Sequence, residues 1–188
     1  MTLTKAISLK VIIISFFLFS SSTLTAQVFD FLNGKNSVDI PFEFSHNFLL
    51  VEVKFQNVVP LTMMFDTGAE HTVLFDKVFT DLFNVPYDRK IKIFGSDLSQ
   101  ELYANVARNV YLNVDGLADI PRDIVVLEED YYHLKEITGI NIDGIISTSF
   151  FNNLSFKIDF KRNIITLYNP QVFKAPSNFD VADADYIK

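Results

Sequence analysis

Cysteine is absent from this 188-residue chain, which excludes both a disulfide framework and a lipid-modified cysteine. Only three histidines occur, His46, His71 and His133, and their spacing matches no metal-binding motif. We find no glycine-rich loop that would cradle a phosphate and no defensible set of serine, histidine and aspartate. The sequence therefore predicts a function that uses no metal and no other cofactor.

Basic residues are also scarce, with 16 lysines and arginines against 23 aspartates and glutamates. Residues 1–26 contain two of the lysines and no acid, so the rest of the chain carries a net charge of −9. Nucleic acids and anionic membranes are bound by clustered basic side chains that neutralise phosphates. We therefore expect no nucleic-acid partner, and we attribute the acidity to solubility.

The first 26 residues have the layout of a secretory signal peptide. Lys5 and Lys10 form a positive n-region, residues 11–19 are almost entirely apolar, and small residues follow up to Ala26. An uncleaved membrane anchor is the alternative, but the apolar stretch is shorter than the ~20 residues that a spanning helix needs. The protein is therefore predicted to be secreted or periplasmic. The remaining 162 residues are enough to bury one hydrophobic core.

Beyond residue 26, most of the chain alternates apolar and polar residues as half-buried strands do. Strand patterns occur at residues 38–44, 51–56, 58–65, 72–75, 91–93, 106–114, 124–127, 145–146, 156–160 and 164–168. Helical patterns are brief, at residues 76–83, at 128–137 and from Phe150. Many short strands with so few helices predict an all-β domain, closed or sandwiched, with one or two short helices.

The run from Met64 to Leu74, Met-Phe-Asp-Thr-Gly-Ala-Glu-His-Thr-Val-Leu, is the most informative stretch of the sequence. An apolar strand leads directly into Asp66, and a second apolar strand begins at Thr72. An Asp-Thr-Gly alone is a weak signal, since about one chain in thirty of this length would contain it by chance. Apolar flanks on both sides suit a solvated β-turn poorly, so they favour a buried strand that delivers one carboxylate to a site.

This run closely resembles the active-site loop of the retropepsin family, the retroviral-type aspartic proteases. The resemblance implies a single lobe with the acid protease fold, a closed pepsin-like barrel, with Asp66 as the catalytic carboxylate. Thr67, Gly68 and Ala69 would support the loop. Thr67 would bond across a dimer axis, and Gly68 would bring its N–H close to the carboxylates. Ala69 lacks the hydroxyl that many two-lobed enzymes place there, which would favour activity nearer neutral pH.

A second segment, Asp143 to Ser147, resembles the Asp-Gly-Ile-Ile-Gly run of bacterial retropepsin-like proteins, which packs beneath the catalytic loop. Ile145, Ile146 and Ser147 are the loop-packing residues that this resemblance implies. Ser147 stands where those proteins have glycine. If the position required a glycine backbone or the space of a missing Cβ, Ser147 would distort the support of the loop.

Residues 91–103 are best suited to form the flap that retropepsins close over a substrate, with Gly95 and Ser96 near its tip. A plain surface hairpin is the alternative. The protease lobe is expected to occupy residues 27–168. Bacterial relatives often carry a PDZ domain after this lobe, and residues 169–188 would be either a loose C-terminal tail or the stub of a linker.

Aspartic peptidases activate water between two carboxylates that share one proton, since like charges so close cannot both ionise. This chain has a single Asp-Thr-Gly and no Asp-Ser-Gly. The resemblance therefore implies a homodimeric aspartic endopeptidase that cleaves peptide or protein substrates between two copies of Asp66. The alternative is a catalytically inactive lobe that serves as a peptide-binding or dimerisation module, which Ser147 would favour.

Overall fold

The computed structural model describes residues 30–94, 101–151 and 154–174. In chain order the elements are β1 (Ser37–Pro41), β2 (Glu43–Ser45), β3 (Phe48–Phe55), β4 (Val59–Asp66), β5 (Val73–Leu74), α1 (Val78–Leu82), β6 (Tyr87–Phe94), β7 (Glu101–Val110), β8 (Leu112–Asn113), β9 (Arg122–Leu127), α2 (Leu134–Thr138), β10 (Gly144–Ser147), a 3-10 turn (Thr148–Phe151), β11 (Ser155–Asp159) and β12 (Ile164–Tyr168). Neither helix in these ranges is long and apolar enough to cross a membrane.

The strands form two sheets. The smaller one has the order β1-β12-β11 and is antiparallel throughout. The larger one has the order β2-β3-β4-β10-β5-β9-β7-β6, and β8 pairs with β3 beside this path. The predicted all-β class is confirmed. The sheets, however, do not close into a barrel within the described ranges, because the larger path starts at the three-residue strand β2 and ends at β6.

Alternation along the strands places the core as the sequence pattern predicts. Val53 and Phe55 on β3 and Leu61 and Met63 on β4 are buried, whereas Lys54, between Val53 and Phe55, faces solvent. The main apolar cluster joins both sheets, since it also includes residues of β1, β11 and β12. Both sheets therefore pack around one core, and strand β4 contributes side chains to it.

The centre of the larger sheet is mixed rather than antiparallel. Strand β10 runs parallel to β4 and antiparallel to β5, and β5 runs parallel to β9. Gly144 begins β10, where a Cβ would lie 2.1 Å from the carbonyl oxygen of Val73 and 3.1 Å from the Cα of Leu74. The two backbones can approach this closely only because residue 144 has no side chain.

The helices are shorter than predicted. The pattern at residues 76–83 corresponds to α1, but of residues 128–137 only the last part is helical, in α2. The Asp130 carboxylate accepts hydrogen bonds from the backbone N–H groups of Tyr132 and His133, at 3.0 and 3.1 Å. This side chain closes a turn that competes with the helix, and His133 then has a left-handed backbone, so α2 starts only after it.

Candidate active site

Asp66 is the last residue of β4, at one edge of the core. Phe65 before it is buried, and alternation turns Asp66 to the other face, where its side chain is half-buried. In the parallel pairing of β4 with β10, Asp66 lies opposite Ser147. Both strands run in the same direction and end together here. The strand pair therefore delivers the carboxylate and the start of the 3-10 turn to one edge of the sheet.

Residues 67–72 connect β4 to β5, and the loop discussed below is the part from Thr67 to His71. The backbone N–H of Gly68 donates a hydrogen bond to Oδ1 of Asp66 at 2.8 Å. Thr67 and Gly68 are exposed in the single chain, and Ala69 is half-buried. A Cβ at residue 68 would lie 3.4 Å from Oδ1 of Asp66, an ordinary van der Waals contact. Within one lobe, therefore, the close approach of backbone and carboxylate does not itself require glycine.

The loop-packing residues lie along β10. Ile146 is fully buried in the main core beside Phe65, while Ile145 is half-buried and packs against a second, smaller cluster. Ser147 is also fully buried, and its pairing with Asp66 continues the register without a bulge. Its φ is not in the left-handed region. The backbone at residue 147 is therefore one that any residue can adopt, and serine causes no strain there.

A set of hydroxyl groups surrounds Ser147. Its N–H donates to Oγ1 of Thr72 at 3.3 Å, and its Oγ lies 3.3 Å from the same Oγ1 and 2.7 Å from Oγ of Ser149. Ser149 in turn donates to the carbonyl oxygen of Glu70 at 2.8 Å. The roles of Thr72 and Ser149 are absent from the sequence prediction, because hydroxyl residues 75 positions apart carry no pattern that would pair them.

Asp143 is another contributor that the sequence analysis did not single out. Its carboxylate accepts the N–H of Thr62 at 2.8 Å and the side-chain amide of Asn141 at 2.6 Å. Its own N–H donates to the carbonyl of Thr62, and its carbonyl accepts the N–H of Phe75. Burial raises the pKa of Asp143, although the hydrogen bonds that its carboxylate accepts from Thr62 and Asn141 oppose the shift. Asp143 thus joins β4 and the segment after β5 to the start of β10.

The proposed flap tip, Gly95 and Ser96, lies outside the described residues. The strands on either side of it, β6 and β7, pair antiparallel, with Ile93 opposite Leu102. This is the pairing of a hairpin, and β7 continues the larger sheet through β9. The pairing is compatible with a flap and with a plain surface hairpin alike.

A cavity of about 430 Å³ lies next to the loop. Its lining comprises His71, Thr72, Pro121, Arg122, Asp123, Ile124, Ser149 and Phe150. The guanidinium of Arg122 lies 5.0 Å from the ring centre of Phe31 and 5.1 Å from that of Phe150. Burial lowers the pKa of Arg122. The cavity is therefore lined by both charged and apolar side chains, and His71, from the loop that follows Asp66, is one of its lining residues.

Comparison with known proteins agrees with this geometry at the level of the family. A family model described as "Aspartyl protease" matches residues 51–150, more than half of the chain. A retropepsin-like aspartic protease from Rickettsia conorii is similar in structure, with 16% identity, a TM-score of 0.47 and coverage of 71% of this chain and 99% of that one. The retroviral protease-like domain of Ddi1 from Leishmania major has 17% identity, a TM-score of 0.41 and coverage of 66% and 96%. None of the curated proteins compared with the chain matches it.

Proposed function

Since the chain belongs to the aspartyl protease family, we propose that it is an endopeptidase that hydrolyses peptide bonds between the Asp66 carboxylates of two identical subunits. The observation that carries this proposal is the position of Asp66. It ends a core strand, it is half-buried, and the N–H of Gly68 holds its carboxylate at 2.8 Å. Within the described residues this N–H is the hydrogen-bond partner of the carboxylate. Because the sequence has one Asp-Thr-Gly, one lobe offers half of a catalytic pair.

In the proposed mechanism, one Asp66 is ionised and its counterpart is protonated. The ionised carboxylate takes a proton from water while the water oxygen attacks the scissile carbonyl carbon, and the protonated carboxyl donates its proton to the carbonyl oxygen. The tetrahedral intermediate then collapses: the carboxyl that took the proton from water gives it to the leaving nitrogen as the C–N bond breaks, and the other carboxylate takes a proton from a hydroxyl of the intermediate as the C=O bond forms. The Gly68 N–H donates to one oxygen of this carboxylate and so fixes its orientation.

The homodimer is supported by the exposed part of the loop. Thr67 and Gly68 are both open to solvent in a single chain, beside the half-buried carboxylate. A second copy placed across a two-fold axis would bring the same three residues against them. The Thr67 hydroxyl would then bond across that axis, as the resemblance to retropepsins implies. Peptide or protein chains are the proposed substrates.

Export to the periplasm or out of the cell is part of the proposal, and residues 1–26 support it through their signal-like composition. Mass analysis of the protein recovered from an expressing cell tests this part. A chain that begins near Gln27 is expected, and a chain that retains Met1 in the membrane fraction would favour the anchor.

Cleavage of a diverse peptide library by residues 27–188 tests the enzyme. We expect cleavage by a dimer, identified by sedimentation of the same sample, and a loss of about a thousandfold in Asp66→Asn. This substitution keeps the shape of the side chain and removes its charge, so Asp66→Asn also serves as the folding control. A folded dimer without cleavage would indicate a peptide-binding or dimerisation module, and cleavage that persists in Asp66→Asn would contradict the assigned site.

A further inference from the structure

The hydroxyl groups near Ser147 form one continuous chain with a defined direction. Ser149 donates its hydrogen to the carbonyl of Glu70, which can only accept. The hydroxyl of Ser149 must then accept from Ser147, at 2.7 Å. The hydroxyl of Ser147, having donated, accepts from Thr72 at 3.3 Å. Thr72 accepts the backbone N–H of Ser147 at 3.3 Å. Every hydroxyl hydrogen in this chain has an acceptor.

This chain of hydrogen-bonded hydroxyl groups connects the sheet to the loop that carries Asp66. It starts at the fully buried Ser147, which lies opposite Asp66 in the strand pairing, and it ends at Glu70, four residues beyond Asp66. The loop is thus held at both ends. Its first end is fixed by the bond from Gly68 to Asp66, and its second end by the bond from Ser149 to the carbonyl of Glu70.

We propose that Ser147 and Ser149 are positioning residues, whose hydroxyls hold the loop from Thr67 to His71 in the geometry that presents Asp66. The catalytic part of this inference rests on the proposed peptidase function. It reverses the expectation that the resemblance raises for Ser147. Serine here is not a defect relative to glycine, because the side chain occupies its site without backbone strain and supplies the central link of the hydroxyl chain.

Removal of the Ser147 hydroxyl affects both neighbours. In Ser147→Gly and Ser147→Ala the hydroxyl of Thr72 loses its acceptor inside the protein, and Ser149 loses the donor that orients it. The glycine variant adds backbone freedom to the same loss. We therefore expect Ser147→Gly, which restores the residue of similar proteins, to lower peptidase activity.

Ser149 offers the sharper test, because it is exposed and its substitution leaves the core intact. Ser149→Ala breaks the hydrogen bond to the Glu70 carbonyl, whereas Ser149→Thr keeps a hydroxyl that can make this bond. Ser45→Ala removes the hydroxyl of a half-buried serine, bonded only to His46 among the described residues, and is the matched control. The measurements are amide hydrogen exchange of residues 67–71, the melting temperature, and kcat and KM on one cleaved peptide.

We expect about tenfold faster exchange of the loop amides in Ser149→Ala, with kcat lowered about tenfold and KM changed less than twofold. Ser149→Thr and Ser45→Ala should match the unsubstituted protein in amide exchange, in melting temperature and in both kinetic constants. Loop exchange that is unchanged in Ser149→Ala would overturn the proposal, and so would faster exchange with an unchanged kcat. Equal losses in Ser149→Ala and Ser149→Thr would also overturn it.

The exchange measurement separates this inference from the proposed function. An unsubstituted protein that cleaves no peptide would refute the peptidase, while the exchange rates of Ser149→Ala would still decide whether the hydroxyl chain holds the loop. Ser147→Gly with higher kcat than serine would overturn the inference in an active enzyme.

Discussion

The two ends of strand β10 both pair with β4, and they solve opposite packing problems. At its start, Gly144 lies where the backbones of β10 and β5 leave no room for even one carbon atom. At its end, Ser147 lies where the resemblance noted in the sequence predicts glycine, and there a side chain fits and is hydrogen-bonded. Two positions three residues apart in one short strand therefore have opposite requirements.

The difference teaches what each end of β10 does. The start joins strands through contacts that involve only backbone and the carboxylate of Asp143, so it determines whether the centre of the sheet can form. The end joins the sheet to the loop of Asp66 through side-chain hydroxyls. Changes at the start should therefore alter folding, and changes at the end should alter the loop with a smaller effect on folding.

Gly144→Ala should have the largest effect on stability. The new Cβ would meet the carbonyl oxygen of Val73 at 2.1 Å, a backbone atom that cannot move without separating β10 from β5. We expect the free energy of unfolding to fall by about 3 kcal/mol or more, as in severe overpacking. Urea unfolding followed by circular dichroism measures the change. A loss below about 1 kcal/mol would show that the two strands can separate at little cost.

Ser147→Ala should have an intermediate effect. It leaves the Thr72 hydroxyl without its acceptor in a buried site, which costs about 1–3 kcal/mol. Ser149→Ala breaks the same chain at its exposed end, so its effect on stability should stay below about 0.5 kcal/mol. Parallel urea titrations of the two variants test the gradient. Equal losses of unfolding free energy in the two variants would mean that the buried and exposed ends of the hydroxyl chain contribute equally to stability.

Gly68→Ala should change stability less than Ser147→Ala does, and activity much more. Its Cβ would make an ordinary 3.4 Å contact with Oδ1 of Asp66, so one lobe should lose less than about 1 kcal/mol. In the proposed dimer the methyl group would stand beside the catalytic pair, where substrate and water must enter, and we expect at least about a hundredfold loss of kcat/KM. Gly144→Ala is the matched glycine variant. Activity that survives in Gly68→Ala would argue against a dimer axis beside this residue.

Local sequence patterns predicted the strands and the loop of Asp66 because alternation and the Asp-Thr-Gly motif act within a few residues. Residues 51–55 show the predicted alternation, and the strand predicted at residues 58–65 leads into Asp66, with Phe65 buried and Asp66 half-buried. The requirement at Gly144 could not be predicted, since it depends on Val73, which is distant in sequence. The hydroxyl chain depends in the same way on Thr72 and Ser147. The helix expected at residues 128–137 was wrong over most of its length.

The part of the Asp143→Asn effect that depends on pH should be the smallest of these changes. Because burial raises the pKa of Asp143 in the folded protein, its contribution to stability is fully present below the unfolded pKa, about 3.9, and is lost as the pH rises through the higher folded value. Asparagine does not titrate. The free energy of unfolding of the unsubstituted protein, relative to that of Asp143→Asn, should therefore be greater near pH 4 than at neutral pH. Urea titrations of both proteins at the two pH values measure this difference. A difference that grows toward neutral pH would mean that the hydrogen bonds from Thr62 and Asn141 outweigh burial, and that the start of β10 is held by an ionised carboxylate.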